Sequence, residues 1–136
     1  MDFEKRLEDL EKKNAELKKE VEYLNFRIGL VASKTHVNQI LYEYDVNQIQ
    51  YNAIMDVMDD VRKELDAHRK YDHATFEQRI KEIFPDRDDP RYDYHFAEDI
   101  ARAFMEDGRW EEVFPSLYGS VPKFKYYLEN MRNEGK

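Results

Sequence analysis

The chain of 136 residues contains no cysteine and only four glycines and four prolines. The lack of cysteine excludes disulfides, thiolate metal ligands and cysteine nucleophiles, and nothing favours an oxidising compartment. No apolar run approaches the roughly 18–20 residues needed to cross a bilayer. The opening MDFEKRLEDL also lacks the apolar segment of a signal peptide. We therefore expect a cytoplasmic protein without a membrane span.

The net charge of −8 is unevenly distributed along the chain. Up to Lys34 there are eight acidic and eight basic residues, so residues 35–136, which we call the body, carry the whole −8. Phosphate groups are bound by clustered lysine and arginine side chains. We therefore expect no direct binding to nucleic acid or to an anionic membrane.

In the first thirty or so residues, mainly apolar residues recur at alternating spacings of three and four and form one face of a helix. This 3.5-residue period keeps one side of a helix against a partner helix, so it predicts a coiled coil over residues 1–34. A single amphipathic helix packed on its own chain is the alternative. The face, which we call the seam, has Leu7, Asn14, Val21 and Ile28 at heptad position a and Phe3, Leu10, Leu17, Leu24 and Val31 at position d.

The residue types in the seam indicate how many chains assemble. Leucine at d with β-branched residues at a favours two parallel strands. Asn14 is the single polar residue of the seam, and two asparagines can hydrogen-bond across a dimer in register. In a trimer or a shifted register their partners would be poorer. We therefore predict a parallel homodimer.

Residues 10–29, LEKKNAELKKEVEYLNFRIG, resemble the leucine zippers of eukaryotic basic-zipper transcription factors over about three heptads. The resemblance lies in Asn14 at a, Glu20–Val21 and the closing Ile28–Gly29. It implies the geometry of a dimer. The basic region of those proteins is absent, because only six residues of mixed charge precede Leu7. The resemblance therefore implies nothing about DNA.

The body has a helical pattern without sustained two-residue alternation. Two capping boxes, Asp45 with Gln48 and Thr75 with Gln78, mark the starts of two helices. The predicted helices are a short one at 37–44, a long one through the apolar positions of 49–65, one at 76–84, one at 91–107 before Gly108, a short turn at 110–114 ended by Pro115, and a last one opened by Pro122. The predicted fold class is all-α, with a coiled coil at 1–34 followed by an acidic bundle of about five helices at 35–136.

Residues 37–128 resemble a family of short all-helical proteins of unknown function from Bacillus and related bacteria. The similarity lies mainly in HFAEDIARAFMEDGRWEEVF, a helix, a glycine turn and a second helix that begins with an aromatic residue. The resemblance implies a helical fold and a Gram-positive or phage origin, but no activity.

The polar residues form no known catalytic or metal-binding constellation. His95 and Glu98 are three residues apart on one helix face, but they supply only two ligands. Asp56, Asp59 and Asp60 share a face without the Glu-x-x-His pair of di-metal bundles. No phosphate-binding loop or nucleophile motif is present. We predict a protein that is not an enzyme, with no catalytic residue, metal or cofactor.

The ten tyrosines are numerous for so charged a chain. A small body cannot bury all of them, and tyrosine supplies contact area at low entropic cost. The alternative is that the tyrosines line the edges of the fold with their hydroxyls in water. The residues assigned to partner binding are Asp86, Asp88, Asp89, Tyr92, Tyr94, Tyr126 and Tyr127; further surface candidates are Tyr42, Tyr44, Tyr71 and Tyr118.

Three functions are compatible with these patterns. The first is a non-enzymatic dimer whose body binds another protein in an interaction or regulatory role. The second is an acidic antagonist of phage type that occupies a basic, nucleic-acid-binding surface of a host or repressor protein. The third is a small-ligand binder or enzyme with a pocket between helices.

Overall fold

The computed structural model describes residues 2–134, and every regular element in this range is helical. The prediction of an all-α chain is therefore confirmed. Six α-helices follow the first one, rather than about five. None of the described helices has both the length and the hydropathy of a membrane span. The helices are α1 (Phe3–Ala32), α2 (His36–Glu43), α3 (Gln48–Asp66), α4 (His73–Ile83), α5 (Tyr94–Glu106), α6 (Val113–Tyr118) and α7 (Pro122–Glu134), with a 3₁₀ turn at Pro90–Tyr92 before α5.

The start of α3 is capped two residues later than predicted. Asn47 accepts a hydrogen bond from the backbone amide of Gln50, and the Gln50 side chain accepts one from the Asn47 amide. This reciprocal pair is the capping box, so the prediction of Asp45 with Gln48 was wrong. Asp45 instead turns the chain in the left-handed region, with φ of 54°, a conformation that aspartate tolerates better than most residues.

The starts of α4 and α5 differ from the prediction for a similar reason. Asp72 accepts hydrogen bonds from both the backbone amide and the hydroxyl of Thr75, so α4 begins at His73 and the box of Thr75 with Gln78 was wrong. Asp93 caps α5 in the same way, after the 3₁₀ turn. An aspartate therefore provides the cap in both cases, three residues before the predicted cap in α4 and two residues after the predicted start in α5.

Two further boundaries concern proline and glycine. Pro115 was predicted to end a short turn, but it is the third residue of α6. The first turn of a helix tolerates proline because its amides have no intrahelical acceptor. Pro122 opens α7 as predicted. Gly108 follows α5 with φ of 77°, the conformation that favours glycine after a helix.

Helix α5 lies at the centre of the fold, where it packs on α2, α4 and α6. Phe96 of α5 makes edge-to-face contacts with Tyr44 and Phe84, with ring centroids 4.9 and 5.3 Å apart. Ile49 was predicted to face inward but is 80% exposed, because α3 begins only one residue before it. The fully buried large side chains include Phe76, Phe84, Phe96, Phe104, Phe114, Tyr118, Leu41, Ile54, Met58, Ile80 and Ile100.

Helix α1 differs from the others because most of it contacts nothing else in the chain. Every residue from position 2 to position 22 is exposed. Only its last turns contact the rest of the chain, mainly along α2, and Leu30 is the one α1 residue in the buried core. The fold therefore leaves more than five turns of α1 extending away from the core.

Candidate oligomerisation interface

The seam forms one apolar stripe along α1, and its side chains are exposed in the single chain. Their exposed fractions range from 52% at Val31 to 88% at Phe3. At 1.5 Å per residue the stripe follows a helix of about 45 Å. Asn14, halfway along, is also exposed. The exposed apolar side chains are Phe3, Leu7, Leu10, Leu17, Val21, Leu24, Ile28 and Val31.

The rest of the chain packs on the opposite side of α1. Leu30, at heptad position c, is 6% exposed, and the Phe26 ring, at position f, lies 6.2 Å from the ring of Tyr51. Successive helical residues are about 100° apart, which places position c about 130° and position f about 170° from the middle of the a/d face. These two contacts therefore leave the apolar side chains of the seam exposed.

Arg27 fixes α1 to the turn after α2. Its guanidinium donates hydrogen bonds to the carboxylate of Asp45 at 2.6 Å and to the hydroxyl of Tyr23 at 3.2 Å. The same guanidinium lies 4.2 Å from the centre of the Tyr42 ring, in cation–π geometry. Arg27 is at heptad position g, beside the seam. These contacts hold α2 against one flank of α1.

The three aspartates assigned to partner binding line one groove of about 410 Å³. Asp86 and Asp88 are exposed. Asp89 is engaged within the chain, because Arg91 pairs with its carboxylate at 2.5 Å and holds the pKa of that carboxyl below its usual range. Arg91 also donates to the backbone carbonyl of Asp45 at 3.2 Å. Two of the three predicted carboxylates are therefore exposed at this groove.

The four tyrosines assigned to partner binding lie in two places. Tyr92 and Tyr94 flank the start of α5, whereas Tyr126 and Tyr127 lie on α7. Tyr94 and Tyr126 are exposed, at 43% and 75%. Tyr127 is half-buried, and its hydroxyl donates to Glu106 at 3.0 Å; burial and then this carboxylate raise its pKa to about 12. Tyr94 and Tyr126 are therefore the two of the four that expose the most ring surface.

Tyr118 was expected at the surface, and this prediction was wrong. It is only 1% exposed and its ring packs against Phe114 and Phe124. Its hydroxyl donates to Glu77 at 3.2 Å. Burial, reinforced by the nearby Glu77 carboxylate, raises its pKa. Tyr118 is therefore a core residue that joins α4 to α6.

Two of the three carboxylates on the Asp56, Asp59 and Asp60 face contact other side chains. Asp59 accepts a hydrogen bond from the Trp110 indole at 3.0 Å, and Asp60 pairs with Arg79 at 2.8 Å. Within residues 2–134, no group of three or more histidine, aspartate or glutamate side chains has an arrangement suited to a metal ion. Of the face formed by Asp56, Asp59 and Asp60, Asp59 and Asp60 contact other side chains of the chain, whereas Asp56 is exposed.

One ion pair, between the buried Glu98 and the half-exposed Lys123, was not anticipated from the sequence. Glu98 is 6% exposed, and its carboxylate lies 2.7 Å from the Lys123 ammonium. The pair joins α5 to α7. Glu98 follows the buried Ala97 and is three residues before the buried Ala101, so the spacing places it beside the inward face of α5. A buried carboxylate at such a position predicts a cationic partner.

Grooves are present between several helices, including one of about 450 Å³ between α3 and α4 that is lined by Ala53, Val57 and Ile83. Exposed Ile49 lies at its rim. An inter-helix binding site for a small ligand stays a prediction.

No protein-family model, curated protein or solved structure matches this chain. The candidate interface is therefore defined by the geometry of α1 and its contacts with the body.

Proposed function

We propose that this protein is a non-enzymatic parallel homodimer whose acidic bodies bind another protein. The observation that carries the proposal is the orientation of α1, since its seam is exposed and points away from its own body. A second copy of the chain has the same stripe and can cover it along its whole length.

The composition of the seam supports two parallel chains. Burying one leucine or valine side chain contributes about 1.5–3 kcal/mol, and eight large apolar side chains of each chain are available. Asn14 favours the register in which it meets its own copy. The contacts of Phe26 and Leu30 lie on the side of α1 away from the seam, and α2 lies against the g flank at Arg27, so the a and d side chains stay exposed.

Dimerisation would give the protein two identical binding heads. Linked heads gain avidity without any new contact, because the second binding event becomes intramolecular. The surfaces offered by each head include the exposed carboxylates of Asp86 and Asp88 and the exposed rings of Tyr94 and Tyr126. Tyrosine in such a position is typical of interaction hot spots.

The dimer is tested by measuring the molar mass in solution, by light scattering at micromolar concentration. The wild-type chain should have twice the monomer mass. Leu17→Glu places a charge in the middle of the seam and should give a monomer. Ala15→Glu is the matched control, since it adds the same charge to the same helix at the exposed position b and should leave the dimer intact. A monomeric wild-type protein would contradict the proposal.

Binding by the body is tested by affinity purification with the wild-type protein and with the Leu17→Glu monomer as bait. A partner that depends on avidity should be captured strongly by the dimer and weakly by the monomer. Replacing Asp86, Asp88, Tyr94 and Tyr126 together by alanine should remove the partner without changing the mass of the dimer. Capture that survives this replacement would exclude these surfaces.

An acidic antagonist is the second candidate, and the acidic groove at Asp86 and Asp88 favours it. Such a protein would bind to a basic nucleic-acid-binding surface of its target, and this binding would weaken steeply as the salt concentration rises. Repeating the purification at low and high salt separates the two candidates, because capture of a non-basic partner that is insensitive to salt contradicts the antagonist.

A further inference from the structure

A groove of about 360 Å³ opens between the end of α1 and α2. Its walls include Val31 and Lys34 on one side and Gln39 and Tyr42 on the other. Val31 also belongs to the seam, at position d. The groove is therefore continuous with the surface that the proposed dimer would bury.

The groove lies on one defined flank of α1. Arg27 is at position g and holds the Tyr42 ring on that flank. In a parallel two-stranded coil, the g flank of one helix faces the e flank of the other. The groove therefore opens toward the e flank of a second α1.

The e position at this level of α1 is Ala32, whose side chain is small and exposed in the single chain. A second α1 therefore brings no bulky side chain against α2 at this point. Tyr42 is 42% exposed, so part of its ring remains available to a neighbour.

We propose that this groove receives the C-terminal end of α1 from a second copy of the chain, so that α2 of each protomer contacts α1 of the other. This inference rests on the proposed parallel dimer and deepens it. The dimer would then be held by four helices at the level of the bodies and by two along the free part of the seam.

The test uses disulfide trapping, which is clean in this chain because it has no cysteine of its own. Gln39→Cys and Ala32→Cys are made in separate copies that carry different tags, are co-expressed and are oxidised mildly. A disulfide between the two different chains is the expected result. Each variant alone should form no such bond, because the two copies of residue 39, and likewise of residue 32, lie on opposite sides of the coil.

Two controls distinguish the failure of this inference from the failure of the dimer. Phe3→Cys, at position d in the first turn, should link to itself in any parallel dimer in register. Lys63→Cys, exposed on α3, paired with Ala32→Cys reports random collisions. If Phe3→Cys links to itself but Gln39→Cys and Ala32→Cys link no more than the collision control, the proposed contact in the groove is wrong and the dimer is retained. Failure of both links, with a monomeric mass, would overturn both proposals.

Discussion

The carboxylate of Asp107 accepts a hydrogen bond from the backbone amide of His36, 71 positions earlier in the chain, at 2.9 Å. Its other oxygen accepts from the amide of Val37, also at 2.9 Å. The residue that ends α5 thus caps the start of α2. Helix α2 packs on both α5 and α1, so this cap is one of the contacts that connect the core, through α2, to the helix that carries the seam.

Replacing Asp107 by alanine should destabilise the fold by about 1–2 kcal/mol, since two amides at the start of α2 lose their acceptor. Urea denaturation followed by circular dichroism measures the change at one fixed protein concentration. Glu129→Ala removes an exposed carboxylate from α7 and serves as the control, with an expected change within about 0.5 kcal/mol. Equal effects of the two replacements would show that the cap contributes nothing.

His36 should make the stability depend on pH. The hydrogen bond with Asp107, followed by the charges of Glu106 and Asp107, raises the pKa of His36 above its usual 6.5. A raised pKa means that the folded state holds the proton more tightly. The stabilisation is therefore complete below the unfolded-state pKa and is lost as the pH rises through the folded-state pKa.

The measurement compares wild type with His36→Asn between pH 5 and pH 9. The difference in unfolding free energy should be largest at the acidic end and should shrink as the pH rises. In an Asp107→Asn background the difference in unfolding free energy should depend less on pH, because the main cause of the raised His36 pKa, the Asp107 carboxylate, is removed. A difference that grows toward alkaline pH would contradict the assignment.

The pair of buried Glu98 with Lys123 predicts an asymmetric response to mutation. Lys123→Met keeps the aliphatic stem but leaves the Glu98 carboxylate buried without a partner, and should destabilise the fold by about 1–3 kcal/mol. Adding Glu98→Gln removes the buried charge and should recover part of that loss. Lys125→Met, at an exposed position of the same helix, is the control for removing a positive charge. Denaturant midpoints of wild type, Lys123→Met, Glu98→Gln and the double variant complete the cycle, and additive effects of the two replacements would exclude coupling.

Asn14 should control the number of chains that assemble. Asn14→Val replaces a polar seam residue by an apolar one, so the assembly should unfold at a higher temperature and should mix dimers with higher oligomers. Sedimentation equilibrium measures this distribution. Asn25→Val makes the same change at position e of α1 and should retain the dimer. A strict dimer in Asn14→Val would mean that other residues specify the number of chains.

The positions of the helices followed closely from the sequence, whereas their starts did not. Apolar spacing located the helices because burial on one face is a local periodic signal. The caps were predicted at Asp45 and Thr75, but Asn47 and Asp72 cap the two helices. Each of these lies within three positions of the predicted residue and is an equally suitable capping type. The choice between such neighbours depends on where the chain must turn to pack, which the local sequence does not specify.

Contacts between distant residues were the least predictable part. The Arg27–Asp45 pair and the Asp107 cap join residues whose adjacency depends on how α1, α2 and α5 pack. Tyr118 appeared similar to the surface tyrosines in the sequence, but its position between Phe114 and Phe124 buries it. The apolar repeat of α1 is local and is read directly from the sequence. The structure leaves these apolar side chains exposed, and the coiled coil stays a prediction.

The attachment of α1 through only its last turns has a consequence for the kind of target that two bodies could engage. In a parallel dimer both bodies would lie at the same end of the coil, related by a two-fold axis along it. Identical surfaces would then face outward at a fixed separation. A symmetric or repetitive target, with two equivalent epitopes at the matching distance, would be bound in preference to a single copy of the same epitope. The separation of the two bodies would then depend less on the length of α1 than on the rigidity of its junction with the body at Arg27.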